Sequence, residues 1–384
     1  MPALATDRHF MQTALDLARQ GIGLTSPNPC VGAVIVNARG QIVGTGTHTY
    51  NGVKHAEVLA LEQAKDKARG ATIYINLEPC SYHGRTPPCA DALIVAGIRR
   101  VVASIADPNP AVSGRGFEKL RSAGVEVEVG ALAEQARRLN EAFARYIRRG
   151  VPFVTLKSAM TLDGKIAASE QTKPEAAAAI GTPRCGWITG EAARAHVHLL
   201  RHEHDALLVG IGTVLADDPL LTDRSELRRR RPLLRVVLDS HLRIHTESRL
   251  VQSVKQGDLL VFFSESSGER KARLEERGVR VERLEDNGKR RINLNWVLQR
   301  LGQLEITSLM IEGGATVNGD ALSAGIVDKL FLYYAPKLFS GADSIPFARD
   351  LNLPAHPITI KSPSFHRFEN DFAIEGYIRD PYEN

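Results

Sequence analysis

Residues 77–89 read LEPCSYHGRTPPC, and together with the triplet HAE at residues 55–57 they decide the fold of the first half of the chain. LEPC ends an apolar, β-branched run that is typical of a strand. PPC precedes another apolar segment, and proline just before such a segment favours the start of a helix. HAE likewise opens a helical pattern. Motifs placed at junctions between strands and helices predict a layered α/β domain with a sheet between helices.

Composition places the chain among globular proteins. It has 384 residues, 43% of them hydrophobic and 24% charged, which predicts two domains and excludes a disordered chain. We find no apolar stretch of about 18 residues and no secretory signal, so we expect a cytoplasmic protein without membrane partners. The four cysteines are too few and too widely spaced for a disulfide framework.

The net charge of +5 is spread over scattered Lys and Arg residues that Asp and Glu nearly balance, which argues against a nucleic-acid partner. The densest run, Arg228–Arg231, is predicted to be a solvated loop, with nucleic-acid contact as the lesser alternative. A phosphorylated small substrate explains a mildly positive chain equally well.

Apolar periodicity and turn residues predict two α/β domains, at 1–150 and 151–384, separated at Gly150 and Pro152. In the first domain we predict helices at 7–20, 56–67, 89–96, 116–123 and 132–148, and strands at 31–36, 41–48, 72–77, 100–104 and 125–129. In the second we predict strands at 153–158, 206–209, 235–238, 259–263, 308–311 and 329–334, and helices near 190–204, 268–277 and 295–301. The Ala-rich patch at 175–180 is interpreted as an inserted loop or a short helix.

One imidazole and two thiolates, from His55, Cys80 and Cys89, form a chemically sensible zinc site with a fourth position left for water. Zinc supplies an activated water there, and Glu57 is predicted to be the catalytic acid/base that moves its protons. Zinc deaminases carry H-x-E followed by P-C-x-x-C, whereas eight residues separate Cys80 from Cys89 here. Taken singly, each cysteine would be read as a buried free thiol, but the joint occurrence of the motifs favours the metal site.

Longer matches extend this pattern: PNPCVG at 27–32, HAE at 55–57, the whole of 77–89 and DPNP at 107–110. They resemble the deaminase half of the bifunctional riboflavin-biosynthesis deaminase/reductase family, in which the long spacing between the cysteines is the rule. The resemblance implies a cytidine-deaminase-like three-layer domain and a pyrimidine substrate that carries ribose 5-phosphate. It implies substrate contacts at Asn28, His48, His83 and Arg85. As alternatives, Asn28 would fix a turn and Arg85 would be a solvated loop charge.

The second half contains two glycine-bearing junctions, VGIGTVL at 209–215 and EGGAT at 312–316. The first lacks the third glycine of a dinucleotide fingerprint, and either one alone would be no more than a tight turn. Together with LKSAMTLDGK at 156–165, WITG at 187–190 and GTVLADDP at 212–219, they resemble the reductase half of the same family, which has a dihydrofolate-reductase-like fold.

This second resemblance implies NADPH as cofactor and a set of binding residues. The NADPH contacts implied are Ala159, Trp187, Thr213, Asp217, Ser240, Gly314, Ala315, Thr316, Val317, Asn318, Gly319 and Asp320. The substrate contacts implied are Cys185, Arg201, Leu221, Arg224 and Glu312. The guanidinium of Arg201 or Arg224 suits a phosphate, although each arginine would also suit a surface charge. The chain departs from the family at Cys185, where Ser is usual, and in the extra segment 169–184, which is either a lid or a tolerated loop.

The leading hypothesis is therefore a two-step, homo-oligomeric enzyme that deaminates the pyrimidine and then reduces its ribosyl group to ribityl with NADPH. Two alternatives remain open at this point. One is a deaminase of tRNA type with an accessory C-terminal domain, which HAE alone would permit. The other is a non-catalytic binding protein stabilised by zinc, against which Glu57 argues because a structural site needs a fourth ligand and no proton carrier.

Overall fold

The computed structural model describes residues 2–168, 186–254, 258–266, 268–284, 291–349 and 357–383. The chain divides into two compact units. The first comprises Met1–Gly150 and Arg228–Arg231, and the second comprises Val151–Leu227 and Pro232–Asn384. The Ala-rich segment and Cys185 lie outside the described residues. Among the helices that are described, none has the length and apolar character needed to cross a membrane.

The first unit is built on a sheet whose strands pair in the order β2-β1-β3-β4-β5. Pairs β1/β2 and β1/β3 are antiparallel, whereas β3/β4 and β4/β5 are parallel. The strands are β1 (Gly32–Val36), β2 (Ile42–Thr47), β3 (Thr72–Leu77), β4 (Arg100–Ile105) and β5 (Glu126–Val129). The helices are α1 (Pro2–Arg19), α2 (Ala56–Ala64), α3 (Cys89–Val95), α4 (Arg115–Ser122), α5 (Ala133–Leu139) and α6 (Glu141–Arg149), with a 3-10 turn at Lys65–Ala68.

Helices cover both faces of this sheet. Apolar side chains of α2, α3 and α4, such as Ala60, Leu93 and Leu120, pack on one face in a continuous buried cluster. On the other face lies α1, whose Met11 and Leu15 are fully buried. Burying both faces explains why the central strands read as continuous apolar runs rather than alternating ones. The predicted three-layer α/β domain is confirmed.

The single helix predicted at 132–148 is wrong, because the structure has two helices, α5 and α6, that meet at Asn140. The Asn140 side chain accepts a hydrogen bond from the Cys30 N–H at 2.8 Å and donates one to the Cys30 carbonyl at 3.1 Å. A buried amide that satisfies backbone groups elsewhere competes with regular helix geometry. The amphipathic pattern continues through residue 140, so periodicity alone did not reveal the break.

The second unit is built on a sheet in the order β11-β10-β9-β8-β12-β6-β13-β16-β15, and β7 and β14 form a separate two-stranded ribbon. Its strands are β6 (Phe153–Thr161), β7 (Lys165–Ala167), β8 (Ala206–Gly210), β9 (Leu234–Leu238), β10 (Leu259–Phe263), β11 (Arg280–Arg283), β12 (Ser308–Ile311), β13 (Lys329–Ala335), β14 (Ile345–Pro346), β15 (Lys361–Phe368) and β16 (Asp371–Tyr377). Its helices are α7 (Glu191–Glu203), α8 (Ile211–Asp217), α9 (Arg249–Gln252), α10 (Gly268–Glu276), α11 (Leu294–Gln303) and α12 (Ala315–Ser323).

In the spatial order of this sheet, every neighbouring pair from β11 to β13 is parallel. At the other edge, β16 pairs antiparallel with β13, and β15 pairs antiparallel with β16. Two buried clusters, one containing Val209 and Val237 and the other Leu208 and Val236, show that neighbouring residues of β8 and β9 face opposite sides of the sheet. Because parallel strands end on one edge, the loops after β6, β8, β9 and β12 meet there. The predicted α/β fold of the second half is confirmed.

Candidate functional site

The first unit brings its candidate metal ligands to the starts of two helices and the end of one strand. His55 is the residue before α2 and has an extended backbone, with φ −74° and ψ 158°. Cys80 follows β3 by three residues, and Cys89 is the first residue of α3 behind Pro88. Residues at helix starts face free backbone N–H groups, which favour thiolate over thiol.

The side chains of His55, Cys80 and Cys89 converge on one point. The His55 Nδ1 atom lies 3.2 Å from Cys89 Sγ and 3.6 Å from Cys80 Sγ, and the three possible ligand atoms all lie within 4.8 Å of one another. The Cys89 N–H donates to Cys80 Sγ at 3.3 Å. One nitrogen and two sulfurs at this separation fit tetrahedral zinc, which prefers this donor set.

The protonation of the two thiols also fits a cation at this point. The hydrogen bond from the Cys89 thiol lowers the pKa of Cys80, with a further contribution from His55, although burial alone would raise it. The Cys80 sulfur in turn raises the pKa of Cys89. The two sulfurs therefore share a proton in the position where a divalent cation would neutralise both of them.

Glu57 lies beside this cluster without belonging to it. Its side chain is buried, with the residue only 3% exposed, in the first turn of α2. Burial, and to a smaller extent the Cys80 sulfur, raise the pKa of the Glu57 carboxyl to about 7 against an opposing effect of His55. A carboxyl with a pKa near neutrality both accepts and releases protons readily, which is the property that general acid/base catalysis needs.

Glu78, which the sequence reasoning passed over, fixes the Cys80 loop. Its buried carboxylate accepts hydrogen bonds from four backbone N–H groups. Two lie before α4, Asp107 at 2.9 Å and Gly114 at 2.9 Å, and two lie in its first turn, Gly116 at 2.8 Å and Phe117 at 3.3 Å. Gly116 must be glycine, because a Cβ there would lie 2.0 Å from the Pro79 carbonyl oxygen. In the sequence, the available signal for this role of Glu78 was its position between a predicted strand and the pair Pro79-Cys80.

Two predicted substrate contacts, Asn28 and His48, lie next to the cluster. The His48 Nδ1 atom is 3.0 Å from the Lys54 carbonyl and Nε2 is 3.1 Å from Asn28 Nδ2, so the Nδ1 atom carries the proton and the Asn28 amide donates to Nε2. Burial lowers the pKa of His48 and keeps the ring neutral, with smaller contributions from His55 and Arg85. The His48 and His55 rings meet edge to face at 5.4 Å.

The other two predicted contacts of this unit, His83 and Arg85, are exposed in the loop between the cysteines. The Arg85 guanidinium lies 5.0 Å from the centre of the Tyr50 ring. The solvated loop predicted at Arg228–Arg231 is wrong for three of its four residues. Arg229, Arg230 and Arg231 are half-buried in the first unit, where the Arg230 guanidinium lies 4.0 Å from the same Tyr50 ring.

In the second unit, the predicted cofactor contacts gather at the edge where the parallel strands end. Ala159 lies near the end of β6, Thr213 follows β8, Ser240 follows β9 and Gly314 follows β12. The loops after β8 and β12 are close, since a Cβ placed on Gly314 would lie 3.6 Å from Thr213 Oγ1. Asp217 ends α8 and is exposed. Two helix starts behind glycines form a suitable anion site.

The segment Gly314 to Asp320 divides into two parts. Gly314, Ala315, Thr316 and Val317 form the start of α12 beside Thr213. Asn318 is fully buried and donates to the Phe347 carbonyl at 2.8 Å, a Cβ on Gly319 would lie 1.8 Å from the Arg349 carbonyl oxygen, and Asp320 pairs with Arg291 at 2.8 Å. Asn318, Gly319 and Asp320 thus each contact another part of the protein, and the NADPH contacts expected at these three residues stay a prediction.

Glu312 is the centre of a buried ion network at the same edge. Arg201 of α7 binds it with two nitrogens, Nε at 2.7 Å and Nη2 at 3.0 Å, and Lys157 of β6 lies at 3.4 Å. Burial alone would raise the pKa of the Glu312 carboxyl, but Arg201 and Lys157 outweigh it and lower the pKa to about 2. The Arg201 side chain is only 13% exposed, so the alternative of a surface charge is wrong for this residue. The sequence reasoning assigned no role to Lys157.

The remaining predicted contacts of the second unit surround this network. Arg201 Nη1 donates to the Thr222 carbonyl at 3.0 Å, which ties the segment with Leu221 and Arg224 to α7. Leu221 is buried with φ +54°, and Arg224 is exposed. Trp187 is half exposed, with the Arg194 guanidinium 4.9 Å from its ring.

Comparison with protein families gives two matches that together span most of the chain. The model of the cytidine and deoxycytidylate deaminase zinc-binding region matches residues 4–105, and the model of the RibD C-terminal domain matches residues 152–373. Their order along the chain is the order of the two units.

Whole-chain relatives agree with these two matches. The chain is 43% identical over 339 residues to the riboflavin biosynthesis protein RibD of Aquifex aeolicus, covering 88% of this chain and 89% of the relative. It is 42% identical over 349 residues to RibD of Escherichia coli strain K12, with the same coverages of 88% and 89%.

Solved structures give the same result. A structure of Acinetobacter baumannii RibD matches with a TM-score of 0.81 at 35% identity, covering 97% of this chain and 99% of that one. A Thermotoga maritima diaminohydroxyphosphoribosylaminopyrimidine deaminase/5-amino-6-(5-phosphoribosylamino)uracil reductase matches with a TM-score of 0.79 at 35% identity, covering 98% and 99%.

Proposed function

Because this chain belongs to the RibD family of riboflavin-biosynthesis proteins, we propose that His55, Cys80 and Cys89 hold its zinc ion and that Glu57 transfers the protons of its deamination step. The chain is a bifunctional enzyme of riboflavin biosynthesis, a zinc-dependent deaminase and an NADPH-dependent reductase. It hydrolyses the amino group of 2,5-diamino-6-ribosylamino-4(3H)-pyrimidinone 5′-phosphate and then reduces the ribosyl group to ribityl.

The observation that carries the metal assignment is the convergence of one imidazole and two sulfurs within 4.8 Å, beside a buried carboxyl that is not among the three. When bound, zinc supplies a water that is acidic enough to act as a nucleophile near neutral pH. A catalytic site needs three protein ligands and an open position, and the first unit offers this set.

Glu57 then has a definite role in the chemistry. Its carboxylate would take one proton from the attacking water and deliver it to the ring nitrogen. It would then take the proton of the new hydroxyl on the ring carbon and deliver it to the amino group, which leaves as ammonia. The burial that raises the pKa of Glu57 to about 7 makes both directions of transfer accessible. The amide of Asn28 and the neutral ring of His48 are proposed to orient the pyrimidine beside it, with Arg85 and His83 nearer to its phosphate.

In the second unit, we assign NADPH to the edge where Ala159, Thr213, Ser240 and Gly314 meet. NADPH supplies the hydride that reduces the ribosyl group. The glycine-bearing starts of α8 and α12 would hold its phosphates, and Trp187 and Asp217 would border it. Glu312, fixed by Arg201, and Leu221 and Arg224 would hold the substrate, so this step relies chiefly on positioning.

We propose that residues 1–150 form the deaminase domain and residues 151–384 the reductase domain. The ranges matched by the two family models support this division. We also propose a cytoplasmic homo-oligomer that binds neither nucleic acid nor membrane. The near balance of acidic and basic residues supports the absence of a nucleic-acid partner. The exposed Phe365 on the edge strand β15 supports self-association. Light scattering of the purified protein measures the oligomeric state.

The tRNA-type deaminase with an accessory domain is disfavoured, because the second half matches a reductase domain over 222 residues, 152–373. The non-catalytic zinc protein is disfavoured because Glu57 is buried beside the ligand set with a pKa suited to proton transfer.

The test is Glu57→Gln, assayed for ammonia release with the phosphorylated diaminopyrimidine and, separately, for NADPH oxidation with already deaminated substrate. We expect ammonia release to fall by about a hundredfold to ten-thousandfold, the usual contribution of a general acid/base, while zinc content and NADPH oxidation stay unchanged. Glu62→Gln on the exposed face of the same helix is the matched control. Loss of zinc and of both activities together would overturn the role of Glu57.

A further inference from the structure

The arginine run Arg228–Arg231 belongs to the first unit, although it stands nearly eighty residues beyond the end of that unit's main segment. The Arg230 N–H donates to the Gly23 carbonyl at 2.7 Å, and Arg231 Nη2 donates to Ser26 Oγ at 3.1 Å. These contacts fix the run against the loop that leads to Asn28. They fix the Arg230 backbone, and the half-buried Arg230 side chain starts from that fixed position.

Two guanidinium groups share the Tyr50 ring. The Arg230 Cζ atom lies 4.0 Å from the ring centre and the Arg85 Cζ atom 5.0 Å from it, so both cations stand within the range of cation–π attraction. In the part of the chain that the structure describes, neither arginine forms a salt bridge with a carboxylate, and Arg230 Nε is buried with no hydrogen-bond partner. Two adjacent cations with free N–H groups form a site that an anion would stabilise.

The shared ring stands beside the deaminase site. Tyr50 is two residues from His48, whose ring lies 5.4 Å from that of His55 and which binds Asn28 at 3.1 Å. The Tyr50 N–H donates to the Leu24 carbonyl at 3.1 Å, within the same loop that holds Arg230 and Arg231. The loop thus joins the candidate pyrimidine contacts to the paired arginines.

We infer that Arg230 is a second phosphate-binding arginine of the deaminase site, which binds the 5′-phosphomonoester of the substrate together with Arg85. The inference rests on the proposed function, because it takes the anion to be the phosphate of the molecule whose pyrimidine lies next to Glu57. A planar guanidinium matches two phosphate oxygens at once, and two of them around one phosphate give affinity as well as orientation. Arg230 is a binding residue and takes no part in proton transfer.

The experiment compares Arg230→Ala with wild type in the zinc-loaded, full-length enzyme, using the phosphorylated diaminopyrimidine and its dephosphorylated riboside. We expect kcat/KM for ammonia release from the phosphorylated substrate to fall by about tenfold to a hundredfold, mainly through KM, since one charge-assisted hydrogen bond has that effect. For the riboside we expect a change of less than about twofold. Arg230→Lys keeps the charge without the fork and should recover part of the loss.

Arg228→Ala, exposed in the same run, is the matched control and should change neither substrate's kinetics. Equal losses of kcat/KM for both substrates after Arg230→Ala would show that Arg230 only supports the fold, and would overturn the inference. An unchanged kcat/KM for the phosphorylated substrate would overturn it as well.

A binding measurement separates this inference from the assignment of Glu57. Titration of wild type and Arg230→Ala with ribose 5-phosphate and with inorganic phosphate needs no catalysis. We expect the variant to bind ribose 5-phosphate at least about tenfold more weakly, with a smaller effect on inorganic phosphate if the ribose is also held. Equal affinities of the two proteins for ribose 5-phosphate would overturn the inference even if Glu57→Gln behaves as expected.

Discussion

Two buried glutamates, Glu57 in the first unit and Glu312 in the second, face opposite electrostatic surroundings. Burial raises the pKa of Glu57 to about 7, whereas Arg201 and Lys157 outweigh burial and lower that of Glu312 to about 2. Glu57 is the second residue of α2, and Glu312 lies between the end of β12 and the start of α12. The difference comes from the neighbours: sulfurs and a histidine for Glu57, and two permanent cations for Glu312.

The different pKa values suit the two glutamates to different kinds of chemistry. A carboxyl that exchanges its proton near neutral pH serves a hydrolytic reaction in which protons must move. A carboxylate that stays ionised serves as a fixed charge, and here it holds Arg201 and Lys157 in place at the strand edge. We therefore propose that the first site depends on proton transfer beside a metal and the second on positioning beside a nucleotide.

The largest expected effect is on the metal site. Cys89→Ser removes one of the three proposed ligand atoms, which lie within 4.8 Å of each other, and we expect zinc loss and a fall in ammonia release of at least about a thousandfold. NADPH oxidation with deaminated substrate should stay within about twofold, because the three proposed zinc ligands all belong to the first unit. Metal analysis and the two separate assays check this.

Cys30→Ala is the control for this variant, since Cys30 is a buried thiol of the same unit outside the ligand set. It should keep its zinc and its deaminase activity. If Cys89→Ser also abolished NADPH oxidation, the two sites would not be chemically independent and the contrast would fail.

The next effect concerns the fixed charge. Glu312→Gln leaves Arg201 and Lys157 as buried cations without their anion, and we expect the unfolding free energy of the second unit to fall by about 3 kcal/mol. Hydrogen exchange of β6 and β12 at pH 7 measures this change locally. Glu276→Gln, exposed on α10 of the same unit, is the control and should leave the exchange unchanged.

The pH dependence of the unfolding free energy tests whether the effect of Glu312→Gln is electrostatic. Because the folded-state pKa of Glu312 is lowered to about 2 from an ordinary 4.5, its contribution to stability is present above pH 4.5 and is lost as the pH falls towards 2. The difference between wild type and Glu312→Gln should therefore shrink below pH 4.5. A constant difference across that range would show that the substitution acts through packing.

The sequence predicted most of the framework, because strands such as β1 (GAVIV) and β10 (LLVFF) are continuous apolar runs. It missed the edge strand β15 (KSPSFHRF), which carries a proline and mostly exposed side chains, and it missed the paired β16. Strands at an edge are specified more by their partners than by their own composition.

In the sites, local motifs predicted the residues that lie at helix starts, and long-range contacts supplied what the motifs lacked. His55, Cys80 and Cys89 could be found because each stands at a recognisable junction. The contact of Arg230 with Tyr50 joins residues 180 positions apart, and that of Arg201 with Glu312 joins residues 111 positions apart, so no local pattern announces them. Charge neutralisation, the basis of the contrast between the two glutamates, is decided by such contacts.

The smallest expected effect is that of Glu57→Gln on stability, which should be a gain in unfolding free energy where Glu312→Gln gives a loss. In the zinc-free protein the folded-state pKa of Glu57 is raised to about 7 from 4.5, so its stabilising contribution is present below pH 4.5 and is lost as the pH rises through 7. Glu57→Gln replaces the buried carboxylate by a neutral amide. At pH 8 we therefore expect the chelated variant to gain about 1 to 3 kcal/mol in unfolding free energy, and at pH 4 to gain none. Hydrogen exchange of α2 and β3 measures the change, and reloading zinc should reduce it, because a cation stabilises the carboxylate. A chelated Glu57→Gln protein that is less stable than wild type at pH 8 would contradict this prediction and show that the two glutamates are held in the same way.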